Sequence, residues 1–291
     1  LPLLLTVKID YRSPMAEQAL IHKVNELIRS LVYELDIRNG KLYGISTRLL
    51  ASDVEPFANP RVKINKIRYP EIQIQGEVAD LFNFAGHVWN NRPLAFLSYY
   101  QILEYFLPIA VRQDMFRKIR TELRDHTFDR DNDECILRII AAIERGSRLT
   151  EADQLRTLLR DYVRRDRLEE FFAIDWGNYF TKRGPIYGAE PINLENRSKD
   201  LCDQVSDRIY RIRNRIVHAK DDPRYEDGRV LLPRSQEAEA LDPDIELVRL
   251  LAMEAILATR LPTGNGQRVT GCSQTSKVIA SADIAAGQNR L

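Results

Sequence analysis

The sequence has 291 residues, of which 44% are hydrophobic and 29% charged, a composition typical of a soluble globular protein with one large domain or two modest ones. Its 43 basic and 42 acidic residues nearly cancel, so the overall charge does not indicate a nucleic-acid binder and any electrostatic attraction must be local. The 3 cysteines have neither zinc-site spacing nor a disulfide framework, which favours a reducing, cytoplasmic setting.

The N-terminal part of the sequence mixes strand and helix signals. Residues 3–9 are typical of a strand, and the spacing of the apolar residues that follow predicts a helix over residues 14–30. Asn39-Gly40 is the dipeptide preferred in two-residue hairpin turns. The apolar-rich residues on either side of it, 31–37 and 41–45, therefore predict a β-hairpin.

Two further strands complete this prediction. Basic and apolar residues alternate over residues 61–67, and residues 71–75 indicate a shorter strand. Together with the hairpin, they predict a small α+β domain over residues 1–92 with a sheet of about four strands. This domain carries no glycine-rich phosphate loop and no cluster of acids or histidines, which favours a structural or recognition role.

Helical periodicity dominates after residue 92. Apolar residues recur every three or four positions from Leu94 to Ile119 and predict one long helix, which Pro108 should kink rather than end. Residues 135–144 and 151–172 indicate two more helices. The overall fold class expected is therefore α+β: the small helix-and-sheet domain followed by an all-α helix bundle.

A glycine-containing and aromatic stretch interrupts the bundle at residues 175–191. Its rings either pack into the core or stand exposed beside Lys182 and Arg183, where they could stack on unpaired bases. The sequence leaves both alternatives open.

Two helices close the bundle. The first covers residues 195–217, and the last begins near Asp242-Pro243-Asp244, where acidic residues and a proline are typical of a helix start. The helical domain predicted in this way extends over residues 93–261. Small and polar residues dominate residues 262–291, which indicates a flexible, non-catalytic tail.

The end of the 195–217 helix is strongly basic. Five basic residues and no acidic one occur between positions 208 and 220, and they predict a local positive patch that attracts a phosphate backbone: Arg208, Arg211, Arg213, Arg215 and Lys220. The alternative is a solvated helix face whose cations lie favourably at the C-terminal end of the helix dipole.

Arg213-Asn214-Arg215-Ile216-Val217-His218 combines the side chains needed for phosphate chemistry without a metal. Arginine offers a fixed cationic fork for phosphate oxygens, and histidine exchanges its proton near neutral pH. In an unbroken helix, positions five apart differ by about 140° around the axis and about 7.5 Å along it. Arg213 and His218 can therefore share a substrate only if the helix ends before His218 or if two chains combine their motifs.

This motif resembles the signature of the HEPN superfamily, in which an arginine, often followed by asparagine, precedes a histidine by four to six intervening residues. Four residues separate Arg213 from His218, and Asn214 follows the arginine. The resemblance covers the helical domain and implies an all-helical fold that often dimerises. Many HEPN proteins are metal-independent ribonucleases, and others have lost activity and act as nucleotide-binding or interaction modules.

The resemblance implies a role for each residue of the motif. RNA cleavage by the ribose 2′-hydroxyl requires proton transfer, which suits His218, and stabilisation of charge on the phosphate, which suits Arg213. Asn214 would orient the phosphate or the histidine, and Glu104 would support the site if it turned inward. The other basic residues, Arg208, Arg211, Arg215 and Lys220, would bind the strand. The expected products carry 2′,3′-cyclic phosphate and 5′-hydroxyl ends, and no metal or cofactor is expected.

The expected partners are RNA, a second copy of the chain bound through the helical domain, and an antitoxin or partner subunit. A cytoplasmic toxin or phage-defence role is what the family suggests, and no apolar run predicts a membrane span. The leading alternative is a non-catalytic HEPN-like module that binds a nucleotide or forms a dimer interface. A metal phosphohydrolase is disfavoured because His218, Asp221 and Asp222 provide too few ligands.

Overall fold

The structure is a computed structural model, and two compact units make up the chain: Leu1–Asn83 together with Arg260–Leu291, and Phe84–Thr259. About 70% of the residues that it describes are helical. The structure describes residues 6–9, 14–40, 42–43, 74–176, 178–196, 198–217, 231–259 and 279–281.

The predicted β-hairpin is wrong, because residues 31–37 lie in helix α1, Glu17–Asn39. Gly40 adopts a left-handed conformation with φ of 59°, and its amide donates to the carbonyls of Leu35 and Asp36. Asn-Gly favours both primed hairpin turns and helix C-termini, since both need a residue with positive φ. Here the dipeptide ends a helix that is buried on all sides in its last turns, so its apolar pattern shows no clear period.

The α+β fold class is therefore corrected to a predominantly helical one. In the described residues, pairing of strands is limited to β1, Thr6–Lys8, which runs antiparallel to β2, Ile279–Ser281. The predicted strand at residues 61–67 lies outside the described residues. Ile74 and Gln75, the described end of the other predicted strand, are not in a strand.

In the first unit, α1 contacts the start of helix α2, Gly76–His87, of which residues 76–83 belong to this unit. Tyr33 meets Phe82 edge to face, with ring centroids 4.9 Å apart. Arg29 reinforces this contact, because its Nη2 lies 2.9 Å from Oδ2 of Asp80. These two contacts join α1 to α2 within the unit.

The second unit is a bundle organised around α3, which packs against α4, α5, α7, α8 and α9. The helices of this unit are α3 Arg92–Arg124, α4 Asp133–Ser147, α5 Glu151–Tyr162, α6 Arg165–Phe172, α7 Leu201–Val217, α8 Gln236–Glu239 and α9 Asp242–Ala258. The central position of α3 explains why most residues in its first half are buried.

Several boundaries in this unit follow the sequence signals. Asn91 caps α3 by accepting from the amide of Leu94, and Pro93 occupies the first turn. The helix continues through Pro108, as the periodicity predicted. The last long helix begins at Asp242 with Pro243 in its first turn, also as predicted.

The single helix predicted for residues 151–172 is instead two helices, α5 and α6. Val163 and Arg164 between them adopt extended backbone conformations. Arg164 donates through Nε to Oε2 of Glu254 at 3.0 Å, and this carboxylate is buried in α9. A buried carboxylate requires a cationic partner, so this ion pair gives the break a tertiary cause that helical periodicity does not reveal.

Among the described residues, α3 is the helix that has the length and apolar character of a membrane span, contrary to the expectation from apolar run length. However, 56% of its most apolar window is buried against the rest of the protein. This burial is what a core helix of a helix bundle shows.

Candidate active site at the end of helix α7

Arg213 lies in the last turns of α7, where it meets two carboxylates from other helices. Its Nη2 donates to Oε1 of Glu104 on α3 at 2.9 Å and lies 3.3 Å from Oε1 of Glu151, the first residue of α5. The inward orientation considered for Glu104 is therefore present, directed at Arg213. The side chain of Arg213 is 17% exposed, so the guanidinium sits at the mouth of the interface between three helices.

Tyr100 on α3 contacts both Glu151 and Arg213. Its hydroxyl donates to the same oxygen of Glu151 at 3.1 Å, and the Arg213 guanidinium lies 5.7 Å from the centre of its ring. Burial, reinforced by the negative charge of Glu151, raises the pKa of the Tyr100 phenol. Tyr100 is therefore a neutral hydrogen-bond donor that orients Glu151 towards the arginine.

The electrostatic balance fixes the charge state of Arg213. Burial lowers the pKa of its guanidinium, but the hydrogen bond to Glu104 and the charge of Glu151 outweigh that effect and raise the pKa on balance. Arg213 is consequently a permanent cation with two carboxylate neighbours. The cluster of Arg213, Glu104 and Glu151 carries one positive and two negative formal charges.

Asn214 is engaged within the motif itself. Its Oδ1 accepts a hydrogen bond from Nη1 of Arg213 at 3.1 Å. Asn214 thus holds Nη1 of Arg213, while Glu104 holds Nη2. Its amide NH₂ group is the part of the side chain that could donate to a phosphate oxygen.

Arg208 is placed where it cannot bind substrate. It is 1% exposed and forms a two-pronged ion pair with Asp244, with Nε–Oδ1 at 2.7 Å and Nη2–Oδ2 at 3.0 Å. Nη1 donates to the carbonyl of Glu190 at 3.0 Å, and Tyr179 donates to Asp244 at 2.7 Å. Arg208, which was expected to bind phosphate, is therefore a buried residue that links α7, α9 and the loop after α6.

Arg215 has a comparable structural role. This residue is 4% exposed, and its two terminal nitrogens donate to the two oxygens of Glu237 at 3.0 and 2.9 Å. One of them also donates to the carbonyl of Tyr187 at 2.9 Å. Two of the four basic residues expected to bind the strand are thus neutralised inside the fold, and the basic stretch is not a continuous surface patch.

Arg211 lies against the loop that precedes α7. A Cβ atom on Gly188 would come within 2.6 Å of its Nε, and Gly188 has a positive φ of 71°. The positive φ favours glycine at this position, whereas the contact alone does not require it, because the Arg211 guanidinium is the end of a flexible side chain and can move. The other two predicted site residues, His218 and Lys220, lie outside the described residues, and the described chain resumes at Leu231, whose amide donates to the carbonyl of Arg215 at 3.0 Å.

In the loop at residues 175–191, the observed arrangement is mainly the one in which the rings pack into the core. Phe180 is buried, and its ring meets those of Phe171, Trp176 and Tyr179 edge to face. Tyr187 is the exception, because it is exposed beside Arg215, with its ring centre 5.7 Å from the guanidinium carbon.

Tyr100 and Glu151 are the site residues that sequence reasoning missed. Tyr100 belongs to the apolar stripe of α3, and Glu151 follows the N-cap Thr150 at the start of α5, so both have an ordinary structural explanation. The available signal was the four-residue spacing of Tyr100 and Glu104, which places both on one helix face.

No protein-family model, curated protein or solved structure matches the chain at a significant level. Within the described part of the chain, no group of three or more histidine, cysteine, aspartate or glutamate side chains could hold a metal ion. Function is therefore inferred from the residues of the site.

Proposed function

We propose that this protein is a metal-independent endoribonuclease of the HEPN type that cleaves RNA by attack of the ribose 2′-hydroxyl. The supporting observation is the set of contacts around Arg213: Glu104 from α3 and Glu151 from α5 hold this cation beside Asn214, in the segment that leads directly to His218. An arginine held in this way is oriented before substrate arrives, which is how charge stabilisation becomes effective in catalysis.

The proposed reaction needs three functions. His218 removes the proton of the 2′-hydroxyl or returns a proton to the departing 5′-oxygen, a role that contributes about 10²- to 10⁴-fold in rate. Arg213 stabilises the negative charge on the phosphate oxygens in the transition state. Asn214 orients the phosphate through its amide group, and the attack of the 2′-oxygen leaves a 2′,3′-cyclic phosphate and a 5′-hydroxyl.

The second candidate is a non-catalytic helical module, and a specific observation favours it. Arg213 already has two carboxylates within 3.3 Å, so a phosphate must compete with them for the guanidinium. Arg208 and Arg215 are likewise occupied by Asp244 and Glu237. In this candidate, the same ion pairs serve only to hold α7 in the bundle.

The deciding experiment is cleavage of mixed cellular RNA in EDTA by the parent chain and by the Arg213→Ala and His218→Ala variants. Arg148→Ala is the matched control, because Arg148 is an exposed arginine at the end of α4. The ribonuclease proposal expects cutting by the parent and the control, with cyclic-phosphate ends, and at least about a 100-fold loss in both motif variants. Absence of cutting by the folded parent supports the helical module, and cutting retained by both variants contradicts the assigned residues.

The proposal includes a homodimer formed through the helical unit and activity in the cytoplasm, where an antitoxin or partner subunit would restrain a toxin or phage-defence enzyme. The observation that supports self-association is an exposed apolar stripe on α4, defined here as the α4 stripe and made of Ile136, Leu137, Ile140 and Ile143. Acidic residues begin α4 and basic residues end it, so two antiparallel copies would match opposite charges across a two-fold axis.

A further inference from the structure

A basic cleft of about 720 Å³ lies on the other half of α3, between α3 and α5. We call it the α3–α5 cleft. Three guanidinium groups and one carboxylate line it, so it carries a net formal charge of +2. Its lining residues are Ile109, Arg112, Gln113, Phe116, Arg117, Arg120, Asp161 and Tyr162.

One wall of the cleft is fixed by contacts between the helices. Arg117 donates through Nη1 to Oδ1 of Asp161 at 3.0 Å and also pairs with the other carboxylate oxygen. The hydroxyl of Tyr162 donates to Oε1 of Gln113 at 2.8 Å. The single carboxylate of the cleft is thus satisfied by Arg117, and it does not neutralise the two remaining arginines.

Those two arginines are available for a ligand. Arg112 and Arg120 are exposed, and neither forms a hydrogen bond or an ion pair with any residue in the described ranges. Phe116 lies between them in sequence and is 49% exposed, and the guanidinium carbon of Arg120 is 6.0 Å from its ring centre. Spacing of four residues places the three on one face of α3 over about 12 Å.

We infer that the α3–α5 cleft binds a single-stranded RNA segment, with Arg112 and Arg120 on backbone phosphates and Phe116 under a base. Free guanidinium groups that flank an exposed ring are the combination that binds single strands without reading their sequence. None of the residues that line the cleft belongs to the Arg213 cluster. Binding by the cleft does not require cleavage, but the choice of RNA over DNA rests on the proposed function.

The test is fluorescence anisotropy of the full chain with a labelled oligouridine whose 2′-hydroxyls are methylated, because this probe cannot be cut by 2′-hydroxyl attack. The double variant Arg112→Gln, Arg120→Gln should weaken binding at least about tenfold and reduce the salt slope by about 1.4, which is about 0.7 for each lost phosphate contact. Phe116→Leu should weaken binding at least about fivefold and leave the slope unchanged.

The matched control is Arg124→Gln, Arg130→Gln, which removes the same charge from exposed positions outside the cleft. It should bind within about twofold of the parent. Equal losses in both double variants, or a parent that does not bind the probe, would overturn the inference. If the protein binds the probe through the cleft but never cuts RNA, only the proposed function is overturned. If it cuts RNA but does not bind the probe through the cleft, only this inference is overturned.

Discussion

Glu104 accepts a hydrogen bond from Arg213 at 2.9 Å, although the two residues are 109 positions apart in the sequence. The contact joins the middle of α3 to the end of α7. Because both side chains are partly solvated, we expect the pair to contribute only about 1 kcal/mol to the free energy of unfolding. A double-mutant cycle of Glu104→Ala and Arg213→Ala, followed by urea unfolding, measures this coupling directly. A coupling near zero would show that the contact does not hold the arginine.

The buried pair of Arg208 and Asp244 should behave very differently. Arg208→Ala leaves Asp244 as an unpaired charge in the core, and we expect this to cost about 3–5 kcal/mol of unfolding free energy. The double variant Arg208→Met, Asp244→Leu should recover most of that loss, because no charge is then buried alone. Denaturant unfolding of the parent and these two variants checks this. A small effect of Arg208→Ala would contradict the structural role assigned to this residue.

Stability at alkaline pH should depend on Tyr100. The phenol has a pKa of about 10 in an unfolded chain, and burial with the nearby charge of Glu151 raises the pKa of Tyr100 in the folded protein. The folded state keeps a proton that the unfolded state releases, so this contribution is complete below about pH 10 and is lost as the pH rises further.

Above pH 10, we expect the unfolding free energy of the parent to fall more steeply with pH than that of the Tyr100→Phe variant. The difference in slope should be up to about 1.4 kcal/mol per pH unit. Unfolding curves measured at closely spaced alkaline pH values test the difference in slope. Identical slopes would mean that Tyr100 ionises as easily in the fold as outside it.

Cys202 should react slowly with alkylating reagents while the protein is folded. Burial, with a smaller effect of the Asp200 carboxylate, raises the pKa of its thiol to about 11. At pH 8 the thiolate fraction is then about two orders of magnitude lower than for an ordinary cysteine, and the rate should fall at least as much. Peptide mapping by mass spectrometry after timed iodoacetamide treatment, with and without denaturant, follows this residue. Rapid labelling of native Cys202 would contradict its burial.

Self-association should be sensitive to the α4 stripe. Leu137 is 59% exposed, so Leu137→Lys should leave the fold intact while placing two like charges in an apolar contact between copies. We expect the variant to be monomeric at concentrations where the parent is dimeric, as measured by analytical ultracentrifugation. Thr121→Lys, at an exposed position on α3, is the control and should remain dimeric. A parent that is monomeric would contradict the proposed dimer.

The helix signals that proved reliable are those with a local physical cause. Asp242 with Pro243 begins α9 as expected, because the geometry of a proline in the first turn acts within a few residues. Asn39-Gly40 was misinterpreted because a positive φ serves a hairpin and a helix end equally well. Only the tertiary burial of α1 decides between them.

The candidate site was accessible to sequence reasoning only in part. Arg213 and Asn214 could be singled out by their spacing to His218, and Tyr100 only by its four-residue spacing to Glu104. Glu151 offered no such signal, since it approaches Arg213 through the packing of separate helices. Arg208 illustrates the opposite difficulty. A cation in a basic stretch suggests a surface, and only the position of Asp244 on α9 reveals that it is buried.

The hydrogen bond from the Leu231 amide to the Arg215 carbonyl brings the chain back to the end of α7. The connection over residues 218–230 therefore joins two positions that the bundle already holds together. Doubling the length of a closed connection costs only about 0.6 kcal/mol, so its length and sequence can diverge with little effect on the bundle. The frame of the bundle therefore does not depend on the length of this connection, whereas the proposed catalysis depends on His218 within it.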